Sequence, residues 1–316
     1  MRIQLLAFLI LCICIPSFSQ LTPTVAFKLP EKELIPEGIT YDPSSKRFFV
    51  GSIFKQKIIQ VTEKGIASDF VSTNRDSIGE VLGMKVYNGK LWSCNNSPSH
   101  DTTRKISSVH VFDLHTGKLH KRYHLNDGKK HLFNDLVFSA EGDVYVTDSD
   151  GGGIYVIDHN HDKLEPFIDN GKLRYPNGIV LSKDNQKVIV STGSGLGIVQ
   201  IDRITKEIKS IPHPKFFIIG IDGMYRHHDQ LIGIQNVVFP ESIVRYSLNT
   251  DETEFQKMDL LVADDARFDS PTTGVIVGDY FYFIANSQLS QLVGNNGNLR
   301  NPETLNETVI LKIPLK

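Results

Sequence analysis

From Glu37 to the C-terminus, short apolar runs alternate with short polar turns, and within the runs the period is two, not the 3.6 of an amphipathic helix. Runs such as "KIIQVT", "SSVHVFDL", "GIYVIDH", "GIVQIDR", "SIVRYSL" and "VILKIPL" are rich in β-branched residues and read as half-buried strands. Asn-Gly pairs at Asn88-Gly89, Asn170-Gly171 and Asn296-Gly297 mark hairpins between such runs. No long segment has a convincing helical period.

One Asn-Gly pair is placed differently, because Asn177-Gly178 leads straight into an apolar run. The same local pattern opens six segments: "EGITYD" at Glu37, "LGMKVY" at Leu82, "NDLVFS" at Asn134, "NGIVLS" at Asn177, "DGMYRH" at Asp222 and "TGVIVG" at Thr273. Five have Gly in second place, and Asp135 departs. The starts lie 43 to 52 residues apart, and each is followed by a turn, a second strand and a further hairpin. Six such units predict an all-β, six-bladed β-propeller. The sixth unit lacks an outer strand of its own. "TVAFKLP", Thr24 to Pro30, precedes the first unit, so this N-terminal strand is expected to pair beside the C-terminal "VILKIPL" and close the ring. Two stacked β-sandwiches would not explain why one pattern opens all six units.

The inner strand of a propeller blade runs along the central channel, so the first residues of the repeats should converge there: Glu37, Leu82, Asn134, Asn177, Asp222 and Thr273. The following glycines let the backbones crowd the axis. One Asn or Asp in such a place would read as a turn cap. Two carboxylates and two amides at the same repeat position read instead as a cluster of hard oxygens. That chemistry suits Ca²⁺, which takes about 6 to 8 oxygen ligands, whereas zinc prefers the Cys and His that this ring lacks.

Composition narrows the partners. Of 316 residues 40% are apolar and 22% charged, with a formal charge of −2 and no basic block, which excludes nucleic acid and an anionic membrane surface as expected partners. Residues 1–19 combine Arg2, the apolar run Leu5 to Ile15 and the small-residue stretch Pro16 to Ser19, the pattern of a cleaved signal peptide. The run is too short to span a bilayer, and Cys12 and Cys14 follow bulky residues, unlike a lipidation site. The expectation is a secreted or periplasmic protein, without membrane contact after cleavage, whose residues 20–316 form a single monomeric propeller domain. Cys94 is then the sole cysteine, so no internal disulfide forms, and it reads as a buried strand residue.

At "PEGITYD", "FNDLVFSAEGDVYVTDS", "YPNGIVLS" and "IDGM", four motifs in order and at blade spacing, the chain resembles the SMP-30/gluconolactonase/LRE family of six-bladed propellers, relatives of the paraoxonases and strictosidine synthase-like proteins. The resemblance covers nearly all of residues 20–316. It implies that Glu37, Asn134, Asn177 and Asp222 hold or line one divalent metal, Ca²⁺ foremost, with Zn²⁺, Mn²⁺ or Mg²⁺ as alternatives. It also implies hydrolysis of a small-molecule lactone or related ester, with Asp222 as general base and Asn134 orienting substrate or metal. Leu82, Asn96, His124 and Thr273 are the expected substrate-binding residues. Two departures stand out. The catalytic His pair of the paraoxonases is not matched, since Asn95 and Asn96 occupy one place and only His124 resembles the second. Gly38 stands where their second calcium needs an acid, although Asp135 is retained, so no second metal is expected. A non-catalytic sensing propeller is the alternative reading, and strictosidine synthase-like condensation a distant third.

Other motifs add little. His115, His120 and His124 lack the HExxH arrangement and read as a solvated hairpin. "GSGLG" at Gly193 and "DSDGGG" at Asp148 read as turns, and Asn95 and Asn306 are glycosylation acceptors only in a host that glycosylates exported chains. The exported protein should begin near Gln20, which intact-mass spectrometry checks; a mature chain retaining the apolar segment would contradict the cleavage.

Overall fold

A computed structural model describes residues 20–316 apart from 102, 104, 126, 194–196, 214–217 and 293–296; the expected signal segment 1–19 and the centre of "GSGLG" lie outside the described residues. Six four-stranded antiparallel sheets make up the molecule, and helical structure among the described residues is confined to short 3₁₀ turns. The inner strands are Pro36–Asp42, Glu80–Tyr87, Phe133–Phe138, Pro176–Leu181, Ile221–His227 and Gly274–Val277. Each contacts the next in cyclic order, with the sixth against the first, so the expected six-bladed propeller is what forms. Within blades 1 to 5 the chain runs outward by successive hairpins. The Asn88-Gly89 turn has positive φ at both residues, as a tight type I′ hairpin requires.

Blade 6 is composite. Its three C-terminal strands, Gly274–Val277, Tyr280–Ile284 and Thr308–Pro314, are completed by the N-terminal strand Thr24–Leu29, which pairs antiparallel with Thr308–Pro314 from Thr24↔Lys312 to Leu29↔Thr308. The two ends of the chain thus share a sheet that would otherwise expose an unpaired edge.

The strands expected to be half-buried are buried on both faces where apolar residues run consecutively, as at Phe48–Val50, Val144–Val146 and Val188–Val190, and these faces pack between blades. The core is accordingly six wedge-shaped layers. Between blades 2 and 3 pack Cys94, Val109, Leu136, Val146 and Tyr155, and between blades 6 and 1 Leu29, Ile39, Phe48, Val50 and Ile310. Phe48 alone meets three aromatic rings, Phe27, Tyr41 and Tyr282, at centroid distances of 4.7 to 5.1 Å. Cys94 is fully buried and free, and burial pushes its thiol well above the usual range, so it is a packing residue.

Deleting Thr24–Leu29 should remove a ladder, the buried Phe27 and Leu29, and the cover of a sheet edge. The expected outcome is loss of cooperative melting and appearance of aggregates in size-exclusion chromatography. A truncated protein that stays monomeric with an unchanged melting temperature would contradict this closure.

Candidate functional site

Five of the six inner strands break register at their mouth end. The shift falls between Pro36 and Gly38, Val81 and Met84, Phe133 and Leu136, Pro176 and Ile179, and Ile221 and Met224. Each interval contains a repeat-opening residue: Glu37, Leu82, Asn134, Asn177 or Asp222. A bulge re-aims the side chain it carries, which is how these residues leave the ladder and face the channel. The glycines are required by contact rather than by φ. A Cβ on Gly38 would sit 2.0 Å from the Leu82 carbonyl oxygen, and one on Gly178 2.5 Å from that of Asp222.

Three of the five share a further device. Two residues before Glu37, Asn177 and Asp222, the backbone is left-handed, at Ile35 (φ 43°), Tyr175 (φ 49°) and Gly220 (φ 66°). The carbonyl at each of these positions accepts an N–H from the end of the neighbouring strand: Ile53 at 3.1 Å, Gly193 at 3.1 Å and Asn236 at 3.3 Å. For Ile35 and Tyr175 that conformation is strained by about 1 to 3 kcal/mol, the sort of strain that gathers where a side chain must be aimed.

Side chains from the preceding blade then hold five of the six starts. Asn96 Nδ2 donates to the Phe133 carbonyl at 2.9 Å while its Oδ1 accepts from the Phe133 N–H at 2.9 Å. Ser149 donates to the Pro176 carbonyl at 2.6 Å, Ser191 to that of Ile221 at 3.0 Å, Asn236 to that of Pro271 at 2.9 Å, and Ser287 to that of Pro36. Thr272 and Thr273 from blade 6 donate to the Glu37 carbonyl.

A cavity of about 950 Å³ opens over this ring and is lined by Glu37, Leu82, Asn134, Asn177 and Asp222. Thr273 stands behind Glu37 and is not in the lining. Asn96 and His124, expected to touch substrate, lie instead beside a separate pocket of about 200 Å³, with Asn96 consumed in joining blade 2 to blade 3 and His124 exposed. Glu80, Tyr175 and Asn236 join the cavity without having been singled out in the sequence.

The electrostatics of the floor are unbalanced. Asp222 accepts from Asn177 Nδ2 at 2.9 Å and from Asn236 Nδ2 at 2.6 Å. Burial nevertheless raises its pKa from 3.8 to about 6, with the Asp135 charge adding to the shift and the two amide donors opposing it. Glu37 is pushed well above the usual carboxylate range, first by burial and then by Asp222, Glu80 and Asp135, and its Oε2 is buried without a hydrogen-bond partner among the described residues. Glu80 is raised by burial, against the pull of the Ser99 N–H on its Oε1 at 2.7 Å. Lys85 pairs with Asp135 at 3.4 Å.

These residues fit a divalent cation. With their amide nitrogens turned to Ser149 and Asp222, Asn134 and Asn177 keep their amide oxygens for a ligand, in a cavity shared with a carboxylate oxygen that has no partner among the described residues. A second group, Asp143, Asp158 and His159, also brings ligand atoms within 4.8 Å of one another. It lies at the opposite end of blade 3, where Arg203 pairs with Asp143 at 3.2 Å and His159 Nδ1 bonds Asp143 at 2.6 Å, so it is a closed ion-pair cluster. "DSDGGG" is a tight turn in which Asp148 Oδ1 accepts the N–H groups of Leu132 and Gly151, each at 2.9 Å.

A six-bladed propeller with an oxygen-lined, strained and negatively charged channel mouth defines the class. The chain belongs to the SMP-30/Gluconolactonase/LRE-like family, whose model matches residues 35–216, more than half of its length; Asp222 and Asn236 lie beyond the match and take their place from the geometry. Among solved structures it is similar to a gluconolactonase from Xanthomonas campestris, at 14% identity over 89% of this chain and 86% of that one, with a TM-score of 0.60. It is likewise similar to the calcium-binding protein regucalcin from Agrobacterium tumefaciens, at 13% identity over 91% and 93% of the two chains and a TM-score of 0.61. A streptogramin B lyase matches at 13% identity over 94% and 99%, with a TM-score of 0.60. At such identities the likeness establishes the architecture and no more. No curated protein matches the sequence.

A carboxylate raised by burial favours the fold below its unfolded value and loses that contribution as pH rises through its folded value. The metal-free protein should therefore melt higher at pH 5 than at pH 7.5. For Asp222, raised from 3.8 to about 6, about one pH unit of that rise lies above pH 5, which corresponds to about 1.4 kcal/mol, or on the order of 3 °C in a domain of this size. Ca²⁺ at pH 7.5 should restore the loss by binding the folded state alone. Glu37→Gln should raise the metal-free melting temperature at pH 7.5 and abolish the Ca²⁺ response. Scanning calorimetry at the two pH values, with Ca²⁺ or chelator, checks all three outcomes.

Proposed function

We propose that this protein is a metal-dependent hydrolase that opens a lactone or related ester, acting outside the cytoplasm after removal of residues 1–19. The observation that carries the proposal is the convergence of Glu37, Asn134, Asn177 and Asp222 on the floor of one cavity, with a Glu37 oxygen left unpartnered. Family membership and the gluconolactonase and regucalcin likenesses support it.

Glu37, Asn177 and Asp222 would hold the cation, Ca²⁺ by the hardness of the donor set, with Asn134 beside them. Bound there, a divalent cation supplies Lewis acidity toward a carbonyl oxygen and neutralises the carboxylates. The remaining work belongs to the chain. Asp222 is the base: two amide N–H groups fix its orientation, and its contact with the cation would have to leave an oxygen lone pair free to take the proton of water. Asn177 and Asn236 accordingly act through Asp222, whereas Asn134 is fixed by Ser149 and presents its oxygen to the cavity. Buried Leu82 bounds the floor and limits the water that reaches it.

Asp222→Asn keeps an oxygen ligand and loses the base. It should lower lactone hydrolysis by roughly 10² to 10⁴-fold while part of the Ca²⁺ binding survives. A lactone and ester panel with and without chelator, paired with Ca²⁺ calorimetry, tests both statements. Ca²⁺ binding without turnover of any member favours a sensing propeller, and absence of Ca²⁺ binding by the parent defeats the site.

A further inference from the structure

The cavity over the ring has two layers of different chemistry. The floor is polar, but the wall above it is formed by Ile53, Leu132, Leu173, Tyr175, Val237 and Leu292, drawn from loops of different blades. Several polar side chains of the lining are already engaged, while Arg174 and Tyr175, with its hydroxyl, stand exposed at its edge. Ser149 bonds Asn134 and the Pro176 carbonyl, Asn236 bonds Asp222 and the Pro271 carbonyl, Glu80 accepts the Ser99 N–H, and Asp150 pairs with Lys130 at 3.0 Å.

The rim shows the same bias. Large apolar side chains are seldom left exposed, yet Tyr175 is 48% exposed and Val237 70%. Exposed apolar groups gathered at the mouth of a cavity mark a surface that a ligand covers. Tyr175 also holds this place in a left-handed backbone, at φ 49°, a conformation that a bulky side chain seldom adopts. A polyhydroxylated ring laid along Ile53, Leu132, Leu173, Val237 and Leu292 would bring hydroxyl groups that these aliphatic side chains cannot pair, and each such group costs affinity.

We infer that the substrate is a lactone or ester bearing an alkyl or aryl group, which lies along this wall while its carbonyl meets the floor, and not a polyhydroxylated sugar lactone. The inference rests on the hydrolytic reading of the site. In the reaction the oxygen of water bonds to the carbonyl carbon and the acyl C–O bond breaks. The proton of water passes to Asp222 and then to the departing alkoxide, giving a hydroxy acid from a lactone or an acid and an alcohol from an ester.

The test uses the mature protein with Ca²⁺ and a series of γ-lactones whose alkyl tail grows from none to four carbons, alongside gluconolactone. Burial of a methylene is worth about three- to fourfold, so kcat/KM should rise by on the order of 10²-fold across the series. The double variant Tyr175→Asn, Val237→Asn should flatten that slope while melting normally, because asparagine tolerates the left-handed backbone that Tyr175 occupies. Calorimetric binding of 4-hydroxyoctanoate against gluconate gives a readout independent of turnover, and the hydroxyoctanoate should bind more tightly. A flat series, a preference for gluconolactone, or tighter gluconate binding would overturn the inference and leave the hydrolase reading intact. Absence of turnover with every lactone would overturn the hydrolase reading and the inference with it.

Discussion

Where six inner strands meet, a methyl group on Gly38 would touch the Leu82 carbonyl oxygen at 2.0 Å, and one on Gly83 the Asn134 carbonyl oxygen at 2.4 Å. The backbones themselves therefore line the axis, and the rest of the molecule is arranged around that crowding. Strands this close cannot all continue their ladders to the mouth, so five of them bulge. Each bulge turns one side chain inward and leaves main-chain groups that need partners. For four of the five the preceding blade supplies such partners in Asn96, Ser149, Ser191 and Ser287, and Asn236 does the same ahead of the unbulged sixth strand. A channel residue is thus positioned by the end of its neighbour as much as by its own strand, which is how residues from separate blades reach one cavity in fixed register.

The architecture was legible because its signal repeats. A single "NGIVLS" is an ambiguous hairpin, but six related openings at blade spacing leave little else, and the unpaired "TVAFKLP" announces the composite sixth sheet. The channel set was legible for the same reason: Glu37, Asn134, Asn177 and Asp222 occupy one repeat position, and repetition converts four ordinary polar residues into a ring.

What stayed hidden is instructive in physical terms. Glu80 opens an inner strand of eight residues and reaches the cavity two positions before Leu82, on which the repeat pattern had been registered. Asn96 looked like a substrate contact because it stands where the paraoxonases carry one of their catalytic His residues, yet its amide is spent on both polar groups of Phe133. A signal for the junction residues does exist, since the second strands end in "VGS", "CNN", "TDS", "VST", "IQN" and "ANS", a short hydrogen-bonding side chain at each boundary. Which atom such a side chain bonds depends on the neighbouring blade, and no period within one blade encodes that. The left-handed residues before Glu37 and Asn177 were equally silent, because Ile35 and Tyr175 are types that disfavour the conformation they adopt.

The composite sixth blade also sets an order of events. Thr24 pairs with Lys312, and the Glu37 carbonyl is held by Thr272 and Thr273, so both the seam and one wall of the ring join segments from opposite ends of the chain. Contacts of such sequence separation form late in folding, because the entropy of closing the intervening loop must be met before they contribute. Blades 1 to 5 are built from local hairpins and can acquire their sheets as the chain emerges, but the channel mouth has no complete form until the last strand docks. Competence of the site therefore coincides with topological closure, and a chain truncated at either end lacks not only stability but the geometry of its first channel residue.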